Sequence, residues 1–103
     1  NYVNKELNYN DYIYKYCNRL YLESYLIKQV IKIVNLAIED QILDNNTPNA
    51  IIAGCIYYVI ITNGIDNIGK KNIESVCNIS GPTIIKICEK LITCSKLLDY
   101  TIE

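Results

Sequence analysis

The stretch "TPNAIIAGCIYYVIIT", Thr47 to Thr62, limits the choice of fold more than any other part of the chain. Thr47 can accept hydrogen bonds from free amides at a helix start. Pro48 suits the first helical position, where its missing N–H would have no partner in any case. The residues that follow are apolar almost all round, and no stripe separates an inside from an outside. A helix of this kind is stable only when neighbours cover every side, so it belongs at the centre of a bundle. The apolar run "AIIAGCIYYVII", Ala50 to Ile61, is too short to span a bilayer, which takes about 20 such residues. Ala50, Ala53 and Gly54 place small residues at helical spacing and let other helices come close. Tyr57 and Tyr58 are then core or near-core residues.

The neighbours can be found on either side of this segment. "DYIYKYCNRL" puts Tyr12, Tyr16 and Leu20 on one helical face with Ile13 and Cys17 beside them, and Asn10 or Asp11 is placed to cap its start. The preceding "NYVNKELNY" reads as a lead-in. "ESYLIKQVIKIVNLAIEDQIL" repeats apolar residues at i, i+3, i+4 and i+7, with Ile27, Val30, Ile31, Val34, Ala37 and Ile38 as its inner face. Its β-branched "VIKIV" would suit a strand, but its length without Gly or Pro favours a helix. "DNNT" stops it. After the central helix, "NGIDNIG" is a loop. "KKNIESVCN" is a short helix with Ile73, Val76 and Cys77 inward. Pro82 opens a last clear helix with Ile84, Ile87, Cys88, Leu91 and Ile92 as the buried face. Thr83, Lys86, Glu89, Lys90 and Thr93 lie opposite, and "SKLLDYTIE" extends this helix or begins another. The expected architecture is all-α, five helices in one domain over residues 1–103, with the last two forming a helix-turn-helix.

Composition narrows the chemistry. Half of the 103 residues are hydrophobic and one fifth are charged, which is enough for a core and excludes a disordered tail. The chain begins at Asn1 and contains no methionine, which reads as part of a longer protein with flanking domains. There is no histidine, which excludes a Cys–His nucleophile within the chain. The five cysteines, Cys17, Cys55, Cys77, Cys88 and Cys94, form no CxxC pair and read as reduced, mostly buried thiols rather than a zinc site. No paired carboxylates, phosphate loop or catalytic triad occurs, so the chain is expected to bind rather than catalyse, with no cofactor and no metal. Net charge is −1 and the pI is near 5.4, whereas a domain that binds nucleic acid unaided is usually basic. Tyr12, Tyr14, Tyr16, Tyr21 and Tyr25 can stack on bases, but they serve equally as amphipathic cover over a core. Glu39, Asp40 and Asp44 form an acidic helix end, which solvation explains.

The corner "NISGPTIIKICEKL", Asn78 to Leu91, is where a binding function is best sought. A tight turn between two helices needs a residue near the left-handed region, and asparagine is the usual second choice after glycine. Asn78 stands at that place, Cys77 is small enough for a close crossing, Ile79 can plug the turn, and Ser80 can cap the next helix. The exposed start of that helix offers Ser80, Gly81, Pro82, Thr83, Ile85 and Lys86, followed by Lys90. Lys70 and Lys71 open the helix before it and are placed to touch phosphates. The corner alone is compatible with a DNA reader and with a purely structural turn.

Four stretches in order resemble a cyclin-fold repeat of the transcription initiation factor IIB family, in particular its second repeat. "DYIYKYCNRLYL" is similar to the family's first helix, and "KQVIKIVNLAIEDQIL" to the second. "TPNAIIAGCIYYV" is similar to the central helix, and "NKKNIESVCNISGPTIIKICEKLI" to the closing helix-turn-helix. The resemblance implies a five-helix cyclin-like bundle. It also implies a general transcription factor that joins the TATA-box-binding protein on promoter DNA to RNA polymerase, with no membrane and no small-molecule substrate involved. The family's glycine at the turn matches Asn78. Its base-reading valine and arginine match Pro82 and Ile85, and isoleucine cannot make arginine's bidentate contact to guanine. The implied contact is therefore to backbone or shape rather than to base edges. Abundant Ile, Asn, Lys and Tyr, encoded by AT-rich codons, fit a large DNA virus or a parasite. The implied location is the nucleus, or the cytoplasm for a virus that transcribes there. The alternative is a cyclin-fold interaction module that regulates a kinase or polymerase without touching DNA.

Overall fold

A computed structural model of the chain describes residues 9–39 and 46–94. Five α-helices follow one another: α1 (Tyr9–Arg19), α2 (Ser24–Glu39), α3 (Pro48–Thr62), α4 (Lys70–Cys77) and α5 (Gly81–Thr93). The described residues contain no strand, so the fold is all-α. The lead-in up to residue 8, the acidic stretch containing Asp40 and Asp44, and the tail from residue 95 lie outside the described residues, while Tyr9, read as the end of the lead-in, opens α1.

α3 touches each of the other four helices, most extensively α5. It buries every residue from Ala50 to Ile56 and from Tyr58 to Ile60, leaving Tyr57 half-buried. Each isoleucine or valine so covered contributes about 1.5–3 kcal/mol of transfer free energy, which explains why a segment with no polar face holds the bundle together. Its start is built as the sequence indicates. Thr47 is extended and its Oγ1 accepts from the Ala50 N–H at 3.3 Å, with Pro48 in the first turn.

α2 buries Leu26, Ile27, Val30, Ile33, Val34 and Ala37. Its inward face is thus rotated from the one expected. Leu26 and Ile33 belong to it, Ile31 is at its margin, and Ile38 is exposed. The same happens on α5, where Ile84, Ile87, Cys88 and Leu91 are buried but Ile92 is exposed. In both helices the outlying isoleucine stands next to the last inward residue, at the edge where an apolar stripe passes into the solvent face. α1 begins at Tyr9, so Asn10 and Asp11 lie inside its first turn and do not precede it as caps. Asp11 still suits that position, because a carboxylate there meets the positive end of the helix dipole.

Three helices end on a left-handed residue, each of a different type. α1 ends on Tyr21 (φ 59°), with Leu22 N–H donating to Cys17 O at 3.0 Å and Tyr21 N–H to Asn18 O at 3.1 Å. α3 ends on Gly64 (φ 66°), with Ile65 N–H donating to Ile60 O at 3.0 Å. α4 ends on Asn78 (φ 60°, ψ 47°), whose N–H donates to Glu74 O at 2.8 Å. Such closures satisfy carbonyls left free by the helix end.

Candidate nucleic-acid interface

α4 and α5 pack on each other and on α3, joined by the short turn Asn78–Ser80. Three residues set the turn. Asn78 supplies the left-handed conformation, at low cost because its short polar side chain tolerates it. Cys77 is buried at the crossing, and Ile79 is half-buried against the core. Ser80 takes the N-cap position with an extended backbone, and its carbonyl accepts from Ile84 N–H at 3.1 Å. Its hydroxyl does not cap a backbone amide as expected. It is hydrogen-bonded to Thr83 Oγ1 at 2.9 Å, which joins the two exposed hydroxyl groups of the corner to each other.

Gly81 opens α5 and is buried. A Cβ at this position would lie 2.6 Å from Glu74 Oε2 and 3.2 Å from Lys70 Nζ. Gly81 is therefore the place where α4 side chains lie across the start of α5, and it acts through close packing rather than as an exposed contact. Pro82 follows at the exposed rim.

The structure divides the expected contact residues between two faces. Lys70, Pro82, Ile85 and Lys86 line one open groove of about 470 Å³ together with Glu89. Ile85 is half-buried there, where the family resemblance places an arginine, and together with Pro82 it adds apolar surface to a groove that two lysines also line. Glu89 adds a carboxylate that the sequence reading assigned only to the solvent face. Its charge opposes phosphate in the same groove. Lys90 is exposed on the last turn of α5 but does not line the groove. Lys71 points elsewhere, into a cleft between α4 and the end of α1.

That second cleft, about 350 Å³, was not read from the sequence. It brings Lys71, Asn72 and Ser75 of α4 beside Arg19 and Tyr21 at the end of α1. No local motif marks it, because its two walls lie about fifty residues apart in the chain.

All five thiols are free. Burial pushes Cys17 up to about 12, helped by the neighbouring Cys77. Burial alone pushes Cys77 up to about 12. Burial also raises Cys88 to about 11, with Glu89 adding to the effect, and raises Cys55 further still, with Cys88 adding. Such thiols are poor nucleophiles, because the thiolate is the reactive form. Among the described residues no group of three His, Cys, Asp or Glu side chains could hold a metal ion, and no helix is long and apolar enough to cross a membrane.

Comparison of the chain with protein-family models, with curated proteins and with solved structures returns no match.

Proposed function

We propose that this chain is a cyclin-like repeat of a factor-IIB-like transcription initiation protein, and that it works by binding. The α4–α5 corner rests against promoter DNA already held by the TATA-box-binding protein, and other surfaces meet RNA polymerase. The observation that carries the reading is Asn78. It is held left-handed in a short turn between two packed helices, and Lys70 and Lys86 from those two helices line one groove. The four stretches that resemble the family support the reading through their order. Ile85, Pro82 and the Ser80–Thr83 hydroxyl pair favour contact with the DNA backbone over recognition of base edges. The chain's net charge of −1 makes that contact weak without the partner protein.

The test is binding to a labelled TATA-containing duplex with and without the TATA-box-binding protein. The expected result is weak binding alone and a distinct ternary complex with the partner, which Lys86→Glu and Thr83→Ala both weaken. If the two substitutions leave ternary complex formation untouched, the contact assignment is wrong.

Glu89 within the groove and the isoleucine at position 85 favour a second reading, a cyclin-like interaction module that never touches DNA. It predicts no ternary complex on TATA-containing DNA.

A further inference from the structure

Lys70 occupies an unfavourable place for a cation. It stands in the first turn of α4, at the positive end of that helix dipole. Its Nζ also lies 3.2 Å from the point that a Cβ of Gly81 would take, at the start of α5. One ammonium group thus meets two positive helix ends. α5 itself offers nothing to offset this. Its first turn has no acidic residue, and the Ser80 hydroxyl turns to Thr83 instead of to a backbone amide.

The offset comes from Glu74, one turn beyond Lys70 on α4. Its Oε2 lies 2.6 Å from the same point at Gly81, and its Cδ 3.3 Å. Residues four apart on a helix share a face, so the carboxylate lies on the side of α4 that carries Lys70. Both residues are half-buried, which limits screening by salt. The carboxylate holds the ammonium at the start of α5, at the edge of the groove that Lys70 and Lys86 line. Glu89, also in that groove, is exposed, and salt screens its charge more fully.

We propose that Glu74 is a built-in restraint on DNA contact, a positioning residue that keeps Lys70 engaged within the corner and so makes binding depend on the partner protein. The inference rests on the reading of this groove as a DNA contact and adds a local cause to the weakness of that contact. With Glu74 neutral, the two helix ends repel Lys70, and its ammonium turns outward to phosphate. Distant charges act differently, because salt screens them beyond about 8 Å. Glu39 provides the comparison. It is exposed near the end of α2, which packs on α1 and α3, and it lines none of the clefts described above. Glu74→Gln and Glu39→Gln change the net charge equally, so net charge alone would make their effects equal.

The test measures binding of a TATA-containing duplex across a range of salt, with and without the TATA-box-binding protein, for the native chain, Glu74→Gln and Glu39→Gln. Glu74→Gln is expected to bind the duplex alone about threefold to tenfold more tightly, with a logarithmic salt slope steeper by about one unit, as Lys70 comes to neutralise a phosphate. Adding Lys70→Gln to Glu74→Gln cancels the gain, and Glu39→Gln binds as the native chain does. Glu74→Gln also lowers Tm by about 2–6 °C, because the start of α5 loses its carboxylate. A merely structural glutamate would lower Tm and affinity together. That outcome overturns the inference, as does equal tightening by Glu39→Gln, an unchanged salt slope, or a gain that survives Lys70→Gln. A ternary complex that forms equally well with the native chain and Glu74→Gln, with no gain on the duplex alone, removes the inference and leaves the proposed function standing. No DNA binding by any of the proteins removes both.

Discussion

Gly54 on α3 faces Ile87 on α5 so closely that a Cβ added at Gly54 would lie 2.6 Å from the Ile87 Cβ and closer still to its Cγ2. The two helices share their most extensive contact here, and the absent side chain makes it possible. The atoms that would be struck belong to the branch point of a buried isoleucine, which cannot swing away. The contact fixes how far α5 sits from the central helix, and therefore where the α4–α5 corner is presented.

Gly54→Ala is accordingly expected to destabilise the protein, although alanine is the better helix former. Overpacking a core costs about 1–3 kcal/mol, and the propensity gain returns about 1 kcal/mol. The contact here is at the severe end, so a net loss of about 2 kcal/mol is expected. Urea denaturation of the two proteins checks it, and equal midpoints would show that α5 moves aside without strain.

Asn78 gives the corner its bend, and its substitution separates bend from contact. Asn78→Gly keeps the left-handed conformation and is expected to leave stability within about 0.5 kcal/mol, whereas Asn78→Val is expected to cost about 1–2 kcal/mol. Thermal denaturation reads both. Under the proposed function, Asn78→Gly also preserves the ternary complex with promoter DNA.

The buried thiols set the alkaline limit of the fold. Cys17, Cys77 and Cys88 are raised from an ordinary value of 9.0 to about 12, 12 and 11. Below the unfolded value both states hold the proton, and the full stabilisation is present. Above it the unfolded chain loses protons that the folded chain keeps, so stability falls as pH rises from about 9 to about 12, by up to about 1.4 kcal/mol per pH unit for each thiol. Denaturation midpoints measured at pH 7, 8 and 10 should be nearly equal at the first two values and lower at the third. A thiol reagent at pH 8 should modify these three, and Cys55 with them, only as fast as the chain opens.

The helices were legible because each is defined by residues close in sequence. Thr47 and Pro48 marked the start of α3, and its all-round apolar character marked its central place. Asn78 was legible as the turn because few residues accept that backbone. What could not be read was how each helix is rotated at its margin. Ile38 and Ile92 continue the apolar period of α2 and α5, and only the positions of neighbouring helices decide that they face outward. Gly81 could be read as exposed because nothing local shows Glu74 and Lys70 lying over it. The backbone conformation of Tyr21 could not be read for the opposite reason. Its left-handed backbone contradicts local preference, and residues chosen against preference are those a sequence pattern misses. The pairing of Arg19 with Lys71 across one cleft is tertiary, as is the split of Lys70 from Lys71.

The central claim is that the groove between Lys70 and Lys86 meets DNA phosphate within a promoter complex. The most direct measurement is the affinity of the chain for TATA-containing DNA bound by the TATA-box-binding protein, taken across a range of salt for the native protein and for Lys86→Gln. A phosphate contact predicts several-fold weaker binding for Lys86→Gln and a salt dependence reduced by about one unit in the logarithmic slope. Identical affinity and slope for the two proteins, or no binding to that complex by either, would contradict the account.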